Sequence, residues 1–217
     1  MIGWLAGYKS PNGIPILIGL EDISLSNDDL KALCAAFGTT SASPMLHIKG
    51  HTPEGELPST QDVISTTIMP NDLLNLWQNF NTGNNKIDLV AIGSPHASNA
   101  ECMKFLKLLL EKNQTVIVPT ILTVGRETLA KLRDNGNLNQ LSKLGVQVVP
   151  DICWCSITEP VFPSKTQSLI TNSGKYAHYG EGLTGRNIRF GSLSDCAMAA
   201  LSGFVNDELP NWLNFNT

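Results

Sequence analysis

Two short strings concentrate hydrogen-bonding and ionisable side chains: Ser94-Pro95-His96-Ala97-Ser98, and Asn172-Ser173-Gly174-Lys175-Tyr176-Ala177-His178-Tyr179. Serine and asparagine present hydroxyl and amide groups, lysine a compact positive charge, and histidine a proton exchanger near neutral pH. Such a set suits a small molecule carrying a carboxylate or phosphate, especially beside helix N-termini with their unpaired N–H groups. Each string also has an ordinary structural reading. Ser98 or Asn99 could simply cap a helix, His96 could be a satisfied structural imidazole, and Lys175 a solvated charge. Sulfur adds a third group. Cys153 and Cys155 stand two positions apart, a spacing too short for a structural zinc site. Cys196 sits near the start of a helix-like stretch, where the dipole favours a thiolate. If Cys153 and Cys196 converge, they suit iron or an iron–sulfur cluster, although two ligands do not complete one. Cys34 and Cys102 fall on apolar helix-like stretches and read as small buried hydrophobes.

The elements that must carry these residues alternate between strand and helix. Strands are predicted at Ile14–Leu20, Pro44–Gly50, Ile87–Gly93, Thr115–Thr120, Val146–Asp151, Ser168–Ser173 and Asn187–Ser192. Helices are predicted after a Ser26 or Asn27 cap up to Gly38, over Asn71–Phe80, Asn99–Asn113 and Gly125–Gly136, and over Leu193–Phe204 with Ser194 as cap. The N-terminal stretch is apolar but interrupted by glycine and proline, which argues against a long helix there. This alternation implies an α/β fold, a largely parallel sheet with helices on both faces. The polar Asn81–Lys86 segment suggests a hinge between two α/β lobes, 1–82 and 85–217, the second holding most of the site. Parallel sheets bind ligands outside the carboxyl ends of their strands. Ser94–Ser98, Asp151–Cys155, Asn172–Tyr176 and Gly191–Cys196 all follow predicted strands, so the chemically equipped residues gather on one rim.

Composition narrows the function classes. The chain of 217 residues is 42% hydrophobic and only 16% charged, with a net charge of -4. A core of good size is expected, and the absence of a basic stripe argues against a nucleic-acid partner. No run approaches the ~20 apolar residues of a membrane span. Five cysteines, an odd number at irregular spacing, and no leader pattern point to a reducing, cytoplasmic setting.

Several strings together resemble the aconitase X family of dehydratases: "GHTPEGE" (Gly50–Glu56), "IGSPHASNAE" (Ile92–Glu101), "DIC" (Asp151–Cys153), "TNSGKYAHY" (Thr171–Tyr179) and "FGSLSDCAMAALSG" (Phe190–Gly203). The likeness runs in order through nearly the whole chain. It implies an aconitase-like fold and removal of water from a small hydroxy acid, such as a 3-hydroxyproline or mevalonate 5-phosphate. An iron or iron–sulfur centre is implied as Lewis acid, with Cys153 and Cys196 among its ligands. Ser94, His96 and Ser98 would line the pocket, and Asn172, Ser173 and Lys175 would contact the substrate anion. The resemblance also implies a companion chain. It would supply a preceding segment, with a further cluster cysteine and the catalytic base, and a small swivelling subunit. Two other readings stand beside a hydro-lyase component. One is a non-catalytic binding or assembly module that kept the fold. The other is a thiol enzyme with Cys153 or Cys155 as nucleophile and His96 or His178 as base.

Overall fold

The computed structural model describes residues 1–43, 45–56 and 63–214. The chain divides into two compact units, Met1–Trp77 together with the segment from Asn211, and Gln78–Pro210. The expected hinge over Asn81–Lys86 lies inside the second unit, because its polar groups are used there. Asn81 Oδ1 accepts from the Phe190 N–H at 2.9 Å, and the Gly83 carbonyl accepts from Arg189 Nη1 at 2.9 Å. The last described residues leave the second unit for the first. There Trp212 meets Trp77 edge to face, with ring centroids 5.8 Å apart, and Leu213 is buried.

The first unit contains α1 (Ile2–Lys9), α2 (Asn27–Phe37), most of α3 (Pro70–Asn79) and a two-stranded parallel sheet, β1 (Ile16–Leu17) and β2 (His47–Ile48). Of the two expected caps Ser26 is the one used, in a full capping box with Asp29. Two expectations change here. The Ile14–Leu20 run keeps only two strand residues, and Ile14, Ile16 and Ile18 are exposed, so it is no interior strand. Of the strand expected over Pro44–Gly50, only His47 and Ile48 pair, and Pro44 lies outside the described residues. The N-terminal stretch forms a short helix of 8 residues, in keeping with the expectation of no long one, and its glycines serve packing. A Cβ on Gly3 would sit 2.8 Å from the Leu33 carbonyl carbon, and one on Gly7 would sit 2.6 Å from the Phe37 carbonyl oxygen. Glycine four residues apart lets the α1 and α2 backbones touch, which outweighs its poor helix propensity.

The second unit is a five-stranded, all-parallel sheet: β3 (Leu89–Ala97), β4 (Thr120–Val124), β5 (Val146–Pro150), β6 (Ser168–Thr171) and β7 (Asn187–Phe190), in the order β5-β4-β3-β6-β7. Helices α4 (Asn99–Leu110), α5 (Arg126–Asp134), α6 (Asn137–Lys143) and α8 (Leu193–Ser202) pack with one another over one face. Their core takes Val90 and Ile92 from β3, Leu122 from β4 and Ile170 from β6. Helix α7 (Gly174–Thr184) covers the other face. A Cβ on its Gly180 would lie 2.8 Å from Ile188 Cδ1, and Ile188 pairs in register with Leu169. Alternate residues of β6 therefore serve opposite layers, the period-two consequence of a sheet covered on both sides.

Three local expectations in this unit are corrected. Strand β4 begins at Thr120, after the predicted Thr115–Thr120 run. Pro119 has no N–H for a ladder, although its carbonyl accepts from Val90 N at 2.9 Å, and Ile117 is largely exposed. Ser192, not Ser194, caps α8, because a capping box needs the acid three residues on, and that acid is Asp195. Most consequential, Gly174–Thr184 is a helix, so the residues after Ser173 are not delivered by a strand.

The α1–α2 contact makes a direct prediction. Gly7→Ala should destabilise the first unit by about 1–3 kcal/mol, the usual cost of overpacking. Denaturant unfolding followed by tryptophan fluorescence checks it, and an unchanged midpoint would show that the helices are not held in backbone contact.

Candidate functional site

Strand order reverses between β3 and β6: the chain leaves β3 toward β4 on one side, and leaves β6 toward β7 on the other. In parallel sheets a crevice opens at such a point, outside the carboxyl ends of the two strands. The strand ends flanking it are Ser94–Ala97 and Thr171–Ser173, which are the two strings singled out by residue type. A clasp joins them. Ser173 donates its hydroxyl proton to the Ser94 carbonyl in a short hydrogen bond. The same oxygen caps α7, accepting from Tyr176 N at 3.0 Å, while Ser173 N donates to Thr171 Oγ1 at 3.2 Å. One buried side chain thus sets the spacing of β3 and β6 and starts the helix that follows.

The third strand end arrives through His96. Its Nε2–H donates to the Ile152 carbonyl at 3.1 Å, which in the neutral ring assigns the proton to Nε2. Ile152 follows Asp151, whose backbone is left-handed at φ 57, and precedes Cys153, which opens the short 3-10 turn Trp154–Ser156. Asp151 is itself tied to the end of β4. Its carboxylate accepts from Arg126 N at 3.1 Å and Nε at 2.9 Å, and pairs with Nη2 at 2.7 Å. These bonds from Arg126, followed by weaker influences, hold the Asp151 carboxyl below the usual carboxylate range. Trp154, fully buried, donates Nε1–H to the Ile92 carbonyl at 2.8 Å and lies 5.3 Å from the Tyr176 ring. The ends of β3, β4, β5 and β6 are therefore linked by side chains.

The sequence-selected residues have unequal fates. Ser94 is buried, and its hydroxyl has no hydrogen-bond partner. Ser98 is engaged in the α4 capping box, accepting from Glu101 N at 3.1 Å. Asn172 and Lys175 are half-buried at the β6–α7 junction. The "KYAHY" string does not converge on one spot. Helical spacing turns Tyr176, Ala177 and Gly180 inward and leaves His178 and Tyr179 exposed, their rings 4.8 Å apart. The sequence reading held Trp154 and Tyr176 within its strand-end strings without giving either a role, and it missed the Arg126–Asp151 pair. A tryptophan between two cysteines just after a strand was the available signal for the first.

The cysteines differ sharply. Cys153 and Cys155 are half-buried, and the two thiols interact. Burial and the neighbouring Cys153 push the Cys155 thiol upward, and Lys175 opposes them. Cys196 is fully buried within the apolar layer that also holds Cys102 and Phe105, and burial, then Asp195, pushes its thiol far above the usual range. The dipole expected to favour its thiolate is overridden, because desolvation disfavours the charged form more strongly than one helix end supports it. Among the described residues, no three of His, Cys, Asp and Glu come together as metal ligands. Cys153 stands at the rim with Ile152 and His96, whereas Cys196, packed among hydrocarbon, does not fit as an available donor. The described residues do not form an iron or iron–sulfur centre by themselves.

The clasp generates a prediction. Ser173→Ala removes both a helix cap and the partner of the Ser94 carbonyl, and should cost about 1–3 kcal/mol. Unfolding midpoints of the variant against the parent chain measure it, and a change within a few tenths would show that the bond carries no stability.

Comparison with known proteins agrees with this architecture. Residues 1–78 match the family model for the aconitase X second domain, and residues 87–202 match that for the aconitase X third domain. Similar curated proteins include a cis-3-hydroxy-L-proline dehydratase of Hypocrea jecorina, 36% identical over 99% of this chain and 37% of its own length. Another carries the same name in Pseudomonas aeruginosa, 35% identical over 98% of this chain and 38% of its own. The phosphomevalonate dehydratase large subunit of Thermococcus kodakarensis is 27% identical over 82% and 45%. The crystal structure of Thermococcus kodakaraensis aconitase X in its holo-form superposes with a TM-score of 0.80 at 26% identity, covering 91% of this chain and 50% of that one. The chain thus spans less than half the length of these curated relatives. Two successive domain models matched in order, the longer over more than half of the residues, establish that the chain belongs to the aconitase X family.

Proposed function

We propose that this chain is part of a carbon–oxygen lyase that removes water from a small hydroxy acid, with cis-3-hydroxy-L-proline as the first substrate to test. The observation that carries the reading is the reversal point itself. Ser94 and Ser173 meet there, His96 is anchored to the Cys153-bearing segment, and the buried Ser94 hydroxyl has no protein partner. Relatives aligned at 35–36% identity bear the hydroxyproline name, against 27% for the phosphomevalonate protein, which favours the former substrate.

In this reading Lys175, at the first turn of α7, pairs with the substrate carboxylate. Asn172 and the Ser94 hydroxyl hydrogen-bond the substrate, and His96 lines the pocket in the orientation its Ile152 bond imposes. Ser98 and Ser173 act by holding backbone rather than substrate. Dehydration also needs a base at the carbon bearing the proton and an acid at the leaving hydroxyl. An iron or iron–sulfur centre would supply the acid as a Lewis acid, with Cys153 as one ligand. The other ligands, the base and a small swivelling subunit are assigned to companion chains in a reducing, cytoplasmic setting. No helix among the described residues is long and apolar enough to cross a membrane. A second reading, a module that binds a small anion without catalysis, draws on the burial of Cys196.

One experiment separates the two. The chain is produced alone and together with companion chains, iron is restored anaerobically, and dehydration of cis-3-hydroxy-L-proline and iron content are measured. Activity and stoichiometric iron are expected only in the assembled form. Substrate binding with neither would establish the module, and absence of binding would remove both readings. Ser94→Ala in the active assembly is the sharper probe. It loses no protein hydrogen bond, so stability should hold within about 1 kcal/mol. The dehydration rate or substrate affinity should fall about 10-fold or more.

A further inference from the structure

The amino ends of the strands, at the far end of the sheet from the Ser94–Ser173 clasp, carry a second concavity that the dehydratase reading does not use. A cavity of about 730 Å³ opens there, bordered by Asp88 before β3, Pro119 before β4 and Thr166 before β6. That volume lies within the range of small-molecule sites. Much of the wall is hydrocarbon. Ile87 and Val118 are buried, whereas Ile117 and Phe204 are 69% and 59% exposed. Gly203 joins them: a Cβ there would stand 3.6 Å from Val118 Cγ2 and 4.0 Å from Ile117 Cδ1. A single exposed apolar side chain is ordinary, but two on the wall of one cavity make a surface that a hydrocarbon group can cover.

The other end of this cavity is polar. A recess of about 320 Å³ shares Lys86, Asp88 and Lys165 with it and adds Gln167 and Ser168. The aspartate is already committed. Its Oδ2 accepts from Gln167 N at 3.0 Å and Ser168 N at 3.2 Å, and its Oδ1 stands 4.0 Å from Lys86 Nζ. Among the described residues Lys165 has no carboxylate partner. Two lysines against one engaged aspartate leave the recess positive, to a degree that suits a monoanion better than a phosphate dianion. Two further groups stand unused in the same walls. The hydroxyls of Thr166 and Ser168 are buried without a hydrogen-bond partner, which a fold seldom leaves unexplained. Glu159 lines only the apolar cavity, so it does not offset the lysines in the recess.

We propose that this groove binds an amphiphilic monocarboxylate, a hydrocarbon chain ending in one carboxylate. The chain lies on Ile117, Val118 and Phe204, and the carboxylate is held between Lys86 and Lys165. Burial of the chain supplies most of the affinity, and the lysines fix its direction and select the acid over a neutral analogue. The site stands apart from the crevice at the carboxyl ends of the strands and does not depend on the reaction assigned there.

The test is calorimetric titration of the full chain with octanoate and, as the neutral analogue, 1-octanol. Octanoate should saturate one site with a Kd near or below about 1 mM, and octanol should bind about 10-fold more weakly. Lys165→Gln should bring octanoate down to the level of octanol, and Phe204→Ser should weaken both. Both side chains are exposed, so unfolding midpoints of the two variants should match the parent chain. No saturation by about 10 mM octanoate would overturn the proposal. Equal affinity for acid and alcohol would do the same, as would binding unchanged in both variants. Binding that survives Lys165→Gln but is lost in Lys175→Gln would place the acid in the other crevice and overturn it too.

Discussion

The architecture of the second unit turns on one hydroxyl. Ser173 Oγ donates to the carbonyl of Ser94 and accepts from the first turn of α7. The two strands it joins are those between which the sheet reverses direction, where no helix crosses above the strand ends and a crevice must open. A parallel pair leaves its terminal backbone groups without ladder partners. When those groups are buried, each must be satisfied or costs about 1–3 kcal/mol. Ser173 satisfies two at once. His96 does the same for the Ile152 carbonyl and Trp154 for the Ile92 carbonyl. The rim is built from side chains that complete the backbone's hydrogen bonding, and this is what gives it a defined shape.

Burial then sorts the chemistry. The same amino acid meets different surroundings in the two places. Cys196, inside the apolar layer with Cys102 and Phe105, is fully buried and its thiol is pushed far up, while Cys153 and Cys155 are half-buried beyond the end of β5. Desolvation is the larger influence in a core with no compensating partner, and a helix dipole is too weak to reverse it. Ser94 bears on function: its buried hydroxyl is left without a partner at the rim, as is the hydroxyl of Tyr176. Leaving such a group unsatisfied is costly, and sites of ligand recognition are where folds tolerate it.

Much of this was open to a reader of the sequence. The strand-helix alternation of the second unit, the parallel sheet and a helix cap at Ser26 or Asn27 followed from local pattern, because hydrophobic periodicity and side-chain caps are properties of a few neighbouring residues. Ser94 and His96 were expected just after a strand, but β3 runs through Ala97 and holds both among its last residues. The local errors share a cause. Pro119 displaced β4 beyond its apolar run, and Gly174 hid the start of α7, since glycine and proline read as breaks even where a cap or a strand edge accommodates them. Gly3 and Gly7 hid α1 in the same way, their role being visible only with α2 in contact.

By itself the amino-acid sequence determined most elements of the second unit and which end of the sheet carries polar and sulfur-bearing side chains, because both depend on interactions within a few residues. Only the tertiary structure decided which of those side chains meet. The order β5-β4-β3-β6-β7 brings Ser94 to Ser173 and His96 to Ile152 across separations of many tens of residues, and it assigns Cys196 to a core layer and His178 to solvent. Strand order, helix phase and burial are set by the packing of the whole unit, and no short window of residues contains them.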